Sequence, residues 1–94
     1  MSELVDTDDA RRRKRLRFRA WHRGLREVDL ILGPFADDCL AQLDAAELDH
    51  FETLLTAPDN DLYDWFTGRS APSDRFNHSL VERIRAHTHQ RPAS

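Results

Sequence analysis

The chain has 94 residues, 39% of them hydrophobic and 33% charged, with a formal net charge of −3. This is one small domain with a wet surface, and its single cysteine, Cys39, excludes an internal disulfide and a cysteine-built zinc site. No apolar run approaches the roughly 20 residues that a membrane span needs, so no membrane insertion is expected. The opening MSELVDTDDA lacks the apolar stretch of a secretory signal, and a bacterial cytoplasm is the expected address.

Charge is segregated along the chain. Nine of the fourteen Lys and Arg residues lie between Arg11 and Arg26, whereas Glu27 to Asp64 holds eleven acidic residues and no Lys or Arg. A dipole of this kind speaks about partners and encounter rates rather than about fold.

Residues 1–7 are polar and without periodicity, and are expected to be a flexible N-terminus. A first helix is predicted from Asp8 or Asp9, where an acidic side chain can cap free N–H groups and favour the dipole. It carries a thin apolar stripe of Leu16, Phe18, Ala20 and Trp21 on a cationic background. Gly24 ends it, either as a terminator or as a tight turn.

A second helix is predicted from about Leu25, with Glu27 in its first turn. Val28, Leu32, Phe35, Cys39 and Leu43 recur every three to four residues, and Ile31, Ala36 and Leu40 widen that face. Pro34 lacks an N–H and clashes with the preceding turn, so a kink or two shorter helices are expected near 33–35.

Asp44 followed by Glu47 has capping-box spacing and predicts a third helix over 45–56, burying Leu48, Phe51 and Leu55. Asp59 is expected to cap a short fourth helix over 60–67, which presents Leu62, Trp65 and Phe66 and stops at Gly68. Ser73 or Asp74 is expected to cap a fifth, with Phe76, Leu80, Ile84 and His87 along one side. Nothing alternates with a period of two. The expected architecture is all-α, a compact bundle of five short helices over 8–89, with 90–94 a flexible C-terminus.

No catalytic constellation emerges. The five histidines form no HExxH pair, and there is neither a nucleophile elbow nor a glycine-rich phosphate loop. Neither a metal site nor a cofactor of its own is expected. Cys39, on the apolar stripe, reads as a small buried hydrophobe. The basic run RRRKRLRFR leaves three uses open: nucleic-acid binding, a cationic helix held by the domain's own acidic face, or docking onto an acidic protein surface.

Arg23 and Glu27 stand four apart, which is salt-bridge spacing on an unbroken helix. A turn at Gly24 would take them out of that register, and a missing side chain there lets another backbone come close. A guanidinium and a carboxylate flanking a bare patch make a directional recognition surface.

These residues carry a resemblance. The run RKRLRFRAWHRGLREVDLILGPFAD resembles the succinate dehydrogenase assembly factors of the SdhE type, whose Arg-Gly-x-x-Glu signature matches Arg23, Gly24 and Glu27. Leu48 to Leu55 and the segment DNDLYDW, Asp59 to Trp65, match further motifs, and the likeness covers about residues 11–88. Separately, a monomer is expected, because no coiled-coil repeat demands a dimer. The resemblance implies a small all-helical bundle that is not itself an enzyme. It would bind the flavoprotein subunit of succinate dehydrogenase, or that of fumarate reductase, and promote covalent attachment of FAD there. Carried over, the contact residues are Arg23, Gly24 and Glu27, with Asp29 and Arg19 as neighbours. The alternatives are a small nucleic-acid-binding regulator using helix 11–26, and an antitoxin-type protein.

Overall fold

A computed structural model describes residues 7–76 and 78–90, with His78 and Gln90 by backbone alone. Among these residues five α-helices follow one another: α1 (Asp8–Trp21), α2 (Arg26–Cys39), α3 (Ala45–Leu54), α4 (Asp59–Thr67) and α5 (His78–Gln90). A single 3₁₀ turn, Leu40–Gln42, follows α2. No strand occurs among the described residues, and the fold is an all-α bundle. Apart from Thr7 and Gln90, the ends expected to be flexible, 1–7 and 90–94, lie outside the described residues.

Helix α1 starts one residue earlier than either aspartate could cap it. Thr7 is the N-cap, and its hydroxyl accepts from the Ala10 amide at 3.0 Å. Asp8 and Asp9 instead pair along the helix with Arg11 at 2.5 Å and Arg13 at 2.7 Å. Leu16 and Ala20 face the core with no exposed surface. Phe18, expected on the same stripe, is 63% exposed. It stands two residues from each of them, about 200° round the helix, and therefore on the opposite face.

Most of the arginines of α1 are bound within the fold. Arg12 reaches Asp49 at 2.7 Å and Glu52 at 2.9 Å, tying α1 to α3. Arg13 donates to the Leu40 carbonyl at 2.6 Å, a cation placed at the negative end of α2. Arg17 lies 3.5 Å from Asp37. The acidic middle of the chain thus serves first as counter-charge for its basic beginning.

Helix α2 runs unbroken through Pro34, so the expected division into two helices does not occur. Pro34 cannot donate to the Leu30 carbonyl, but Leu30 is 53% exposed and water is at hand on that side. Gly33 has a separate purpose. It is buried, and a Cβ at this position would overlap the Trp21 indole. The bare backbone lets that ring lie flat against α2, where its Nε1 donates to Asp37 Oδ1 at 3.2 Å.

The capping box at α3 forms as its spacing predicts. Asp44 Oδ1 accepts from the Glu47 amide at 2.8 Å, and Glu47 Oε1 accepts from the Asp44 amide at 2.9 Å. Helix α4 begins after Pro58, with no side-chain cap, and ends at Gly68 with φ +82°. Helix α5 begins at His78 rather than near Asp74. The Phe76 amide donates to the Ser73 carbonyl at 2.9 Å, so residues 73–76 form a turn instead of a first helical turn. Phe76 still packs, with its ring 4.9 Å from that of Trp65.

The core is one cluster drawn from all five helices. Phe35 and Phe51 stack at 6.0 Å near its centre, surrounded by Leu16, Leu32, Leu48, Leu62 and Ile84. Each such leucine or phenylalanine contributes about 1.5–3 kcal/mol by leaving water.

Candidate partner-binding site

Helices α1 and α2 are joined by His22 to Leu25, and that joint is where the signature residues fall. Gly24 adopts φ +119°, backbone that L-side chains rarely enter. An added Cβ would meet little, the nearest atom being Asp59 Oδ2 at 3.9 Å. Glycine is therefore required here by the direction of the turn rather than by crowding.

Arg23 points inward. Its Nε donates to Asp59 Oδ1 at 2.7 Å, one terminal nitrogen donates to the Ala57 carbonyl at 2.6 Å, and the other donates to the Leu55 carbonyl. The side chain is only 14% exposed. One planar guanidinium thus serves two backbone acceptors behind α3 and a carboxylate at the start of α4, a fork that an ammonium could not reproduce. Its own amide donates to Asp29 Oδ1 at 2.9 Å. Asp29, in the first turn of α2, reaches back to close the joint.

Arg23 and Glu27 do not pair. The turn separates them, and Arg23 takes Asp59 in place of its near neighbour. Glu27 is exposed and has no side-chain partner among the described residues. It borders a surface depression of about 290 Å³ together with Leu25, Asn60 and Tyr63. Arg19 is half-buried, with its nearest carboxylate, Glu52, at 3.9 Å.

Of the five residues singled out in the sequence, Gly24 and Glu27 offer themselves to solvent. Arg23 and Asp29 shape the turn that presents them, and Arg19 stands one helical turn away, beside α3. Sequence reasoning missed Asp59, taken for a helix cap, and also Asn60 and Tyr63. The available signal was their place in DNDLYDW, a segment whose meeting with Arg23 across 36 residues could not be read locally.

Among the described residues no group of three or more His, Cys, Asp or Glu side chains gathers as a metal site. The partly buried Cys39 thiol is pushed up by burial first and by Asp38 second, partly offset by Arg83, so the fold disfavours its thiolate. No described helix is long and apolar enough to cross a membrane.

Comparison with known proteins is decisive on family. The model of the family described as flavinator of succinate dehydrogenase matches residues 14–88. The chain belongs to that family. Among individual relatives of this flavinator-family chain, the FAD assembly factor SdhE of Photobacterium profundum is 35% identical over 79 residues, covering 84% of this chain and 89% of that one. The protein of the same name from Acetobacter pasteurianus is 41% identical over 68 residues, covering 72% of this chain and 62% of its own length. The mitochondrial succinate dehydrogenase assembly factor 2 of Mycosarcoma maydis is 41% identical over 80 residues, which is 79% of this chain but 34% of that longer one. The matched region contains both the Gly24 joint and the Asp59–Trp65 segment that braces it.

Proposed function

We propose that this chain is an assembly factor that binds the flavoprotein subunit of succinate dehydrogenase and promotes covalent attachment of FAD to it. Family membership across residues 14–88 is the observation that carries the reading. The geometry supports it: a rigidly braced turn holds an exposed carboxylate, Glu27, beside a bare glycine and a shallow depression, which suits contact with another folded surface.

In this reading Gly24 and Glu27 meet the client, while Arg23 and Asp29 hold them in place, with Arg19 at the margin. The chain supplies orientation and no chemistry. It stabilises the client arrangement in which the flavin and the side chain that receives it align, a shift of population by differential binding. It is a monomer, is not an enzyme, keeps no FAD of its own and works in the bacterial cytoplasm. The exposed side chains on α1 contact protein rather than nucleic acid.

In-gel flavin fluorescence of the succinate dehydrogenase flavoprotein tests the proposal directly. Deleting the gene should abolish or sharply reduce the signal, and wild type supplied in trans should restore it. Equal fluorescence with and without the gene would overturn the assignment.

A further inference from the structure

We infer that the outward face of α1 is a second docking surface, built on Lys14, Arg15 and Phe18, which takes an acidic patch on a folded protein partner. The inference rests on the reading above, in that the partner is the flavoprotein the chain assembles.

The face is defined by what the fold leaves unused. Arg12, Arg13, Arg17 and Arg23 are all engaged by carboxylates or carbonyls of the chain itself. Lys14 and Arg15 are exposed and make no ion pair among the described residues. Three and four residues on, Phe18 sits on the same side of the helix and is 63% exposed. An open groove of about 420 Å³ runs along these residues, with Arg11 and Arg19 also lining it. Leu16 and Ala20 already provide the packing that α1 needs, so an aromatic on the opposite face adds nothing to the core. An aromatic ringed by cations is the composition of an interface centre and its rim.

The face is also continuous with the Gly24 joint. The Phe18 ring stacks on that of His22, 4.1 Å between centroids and 19° from parallel. His22 in turn fixes its Nδ1 against the Phe18 carbonyl at 2.8 Å and immediately precedes Arg23. A partner seated over Gly24 and Glu27 therefore extends onto α1 without a gap.

Charge decides the class of partner. A nucleic acid lying along α1 would meet Asp8 and Asp9 at one end and Asp49 and Glu52 at its flank, in a chain whose net charge is −3. A folded protein can confine its carboxylates to the cationic stripe and offer Phe18 an apolar recess between them.

The test measures binding of the full chain to purified flavoprotein subunit at low and at physiological salt. Lys14→Glu with Arg15→Glu should weaken binding about tenfold or more, mainly through slower association, and flatten its salt dependence. Phe18→Ser should weaken it about tenfold through faster dissociation. Both variants should melt like wild type, because the changed side chains are exposed. If both bind as wild type while Glu27→Ala is impaired, this inference fails and the functional reading stands. If wild type itself does not bind the flavoprotein, both fail. If the charge-reversed variant keeps its flavoprotein affinity but loses affinity for a single-stranded oligonucleotide that wild type binds, the face serves nucleic acid and the inference is overturned.

Discussion

Arg23 Nε lies 2.7 Å from Asp59 Oδ1, and through this contact the turn between α1 and α2 is fastened to the turn between α3 and α4. The two residues are 36 apart in sequence. Arg23 stands in the run Arg23 to Glu27 and Asp59 in the segment DNDLYDW, and the pair is where the two segments meet. The arginine accordingly lies behind the surface on which Gly24 and Glu27 are exposed.

Removing that guanidinium should loosen the whole joint. Arg23→Ala leaves Asp59 and two backbone carbonyls without their donor, at an expected cost of about 2–4 kcal/mol. Arg23→Lys should recover less than half, since an ammonium is a point charge and cannot reproduce a planar fork. Urea unfolding of both variants beside wild type checks this; a variant as stable as wild type would show that the bonds contribute little.

Gly24→Ala isolates backbone strain. There is room for the added methyl, so the penalty is conformational, about 1–3 kcal/mol for holding a non-glycine residue at φ +119°. Thermal melting should fall by roughly 4–8 °C per kcal/mol in a domain of this size. Gly24→Arg adds bulk on the exposed side and should also block flavinylation.

Glu27→Ala should show the opposite profile. The side chain is exposed and has no partner among the described residues, so stability should stay within about 0.5 kcal/mol of wild type. Client flavinylation, read by in-gel fluorescence, should nonetheless be lost. Retained flavinylation at normal protein levels would remove Glu27 from the interface.

Gly33→Ala probes a contact between α1 and α2. The new Cβ overlaps the Trp21 ring, and overpacking of this kind costs about 1–3 kcal/mol. In a Trp21→Ala background the same substitution should be nearly neutral, because the obstacle is gone. A double-mutant cycle in urea measures the coupling.

The Cys39 thiol should be slow to alkylate at about pH 8 in the folded chain and fast in urea, because the thiolate is the reactive form and burial disfavours it. The sign for stability follows. A folded-state pKa above the unfolded one gives a contribution that is whole below the unfolded pKa and is lost as pH climbs past it toward the folded value. Equal labelling rates with and without urea would contradict the burial.

Much of this protein is written in interactions that span four residues or fewer. The apolar spacing of α2, the Asp44–Glu47 capping box, the stop at Gly68 and the turn at Gly24 all depend on close neighbours, and each stands in the fold where the spacing puts it. The glycine and the exposed glutamate of the candidate site were legible for the same reason. Contacts between distant segments were not. That Asp59 meets Arg23 instead of capping α4, that Gly33 makes room for Trp21, and that Phe18 turns outward while the acidic middle neutralises most of α1 all depend on how the helices pack. A local pattern assigns a side chain to a face of its helix, but only closure of the chain around its core selects what that face will touch.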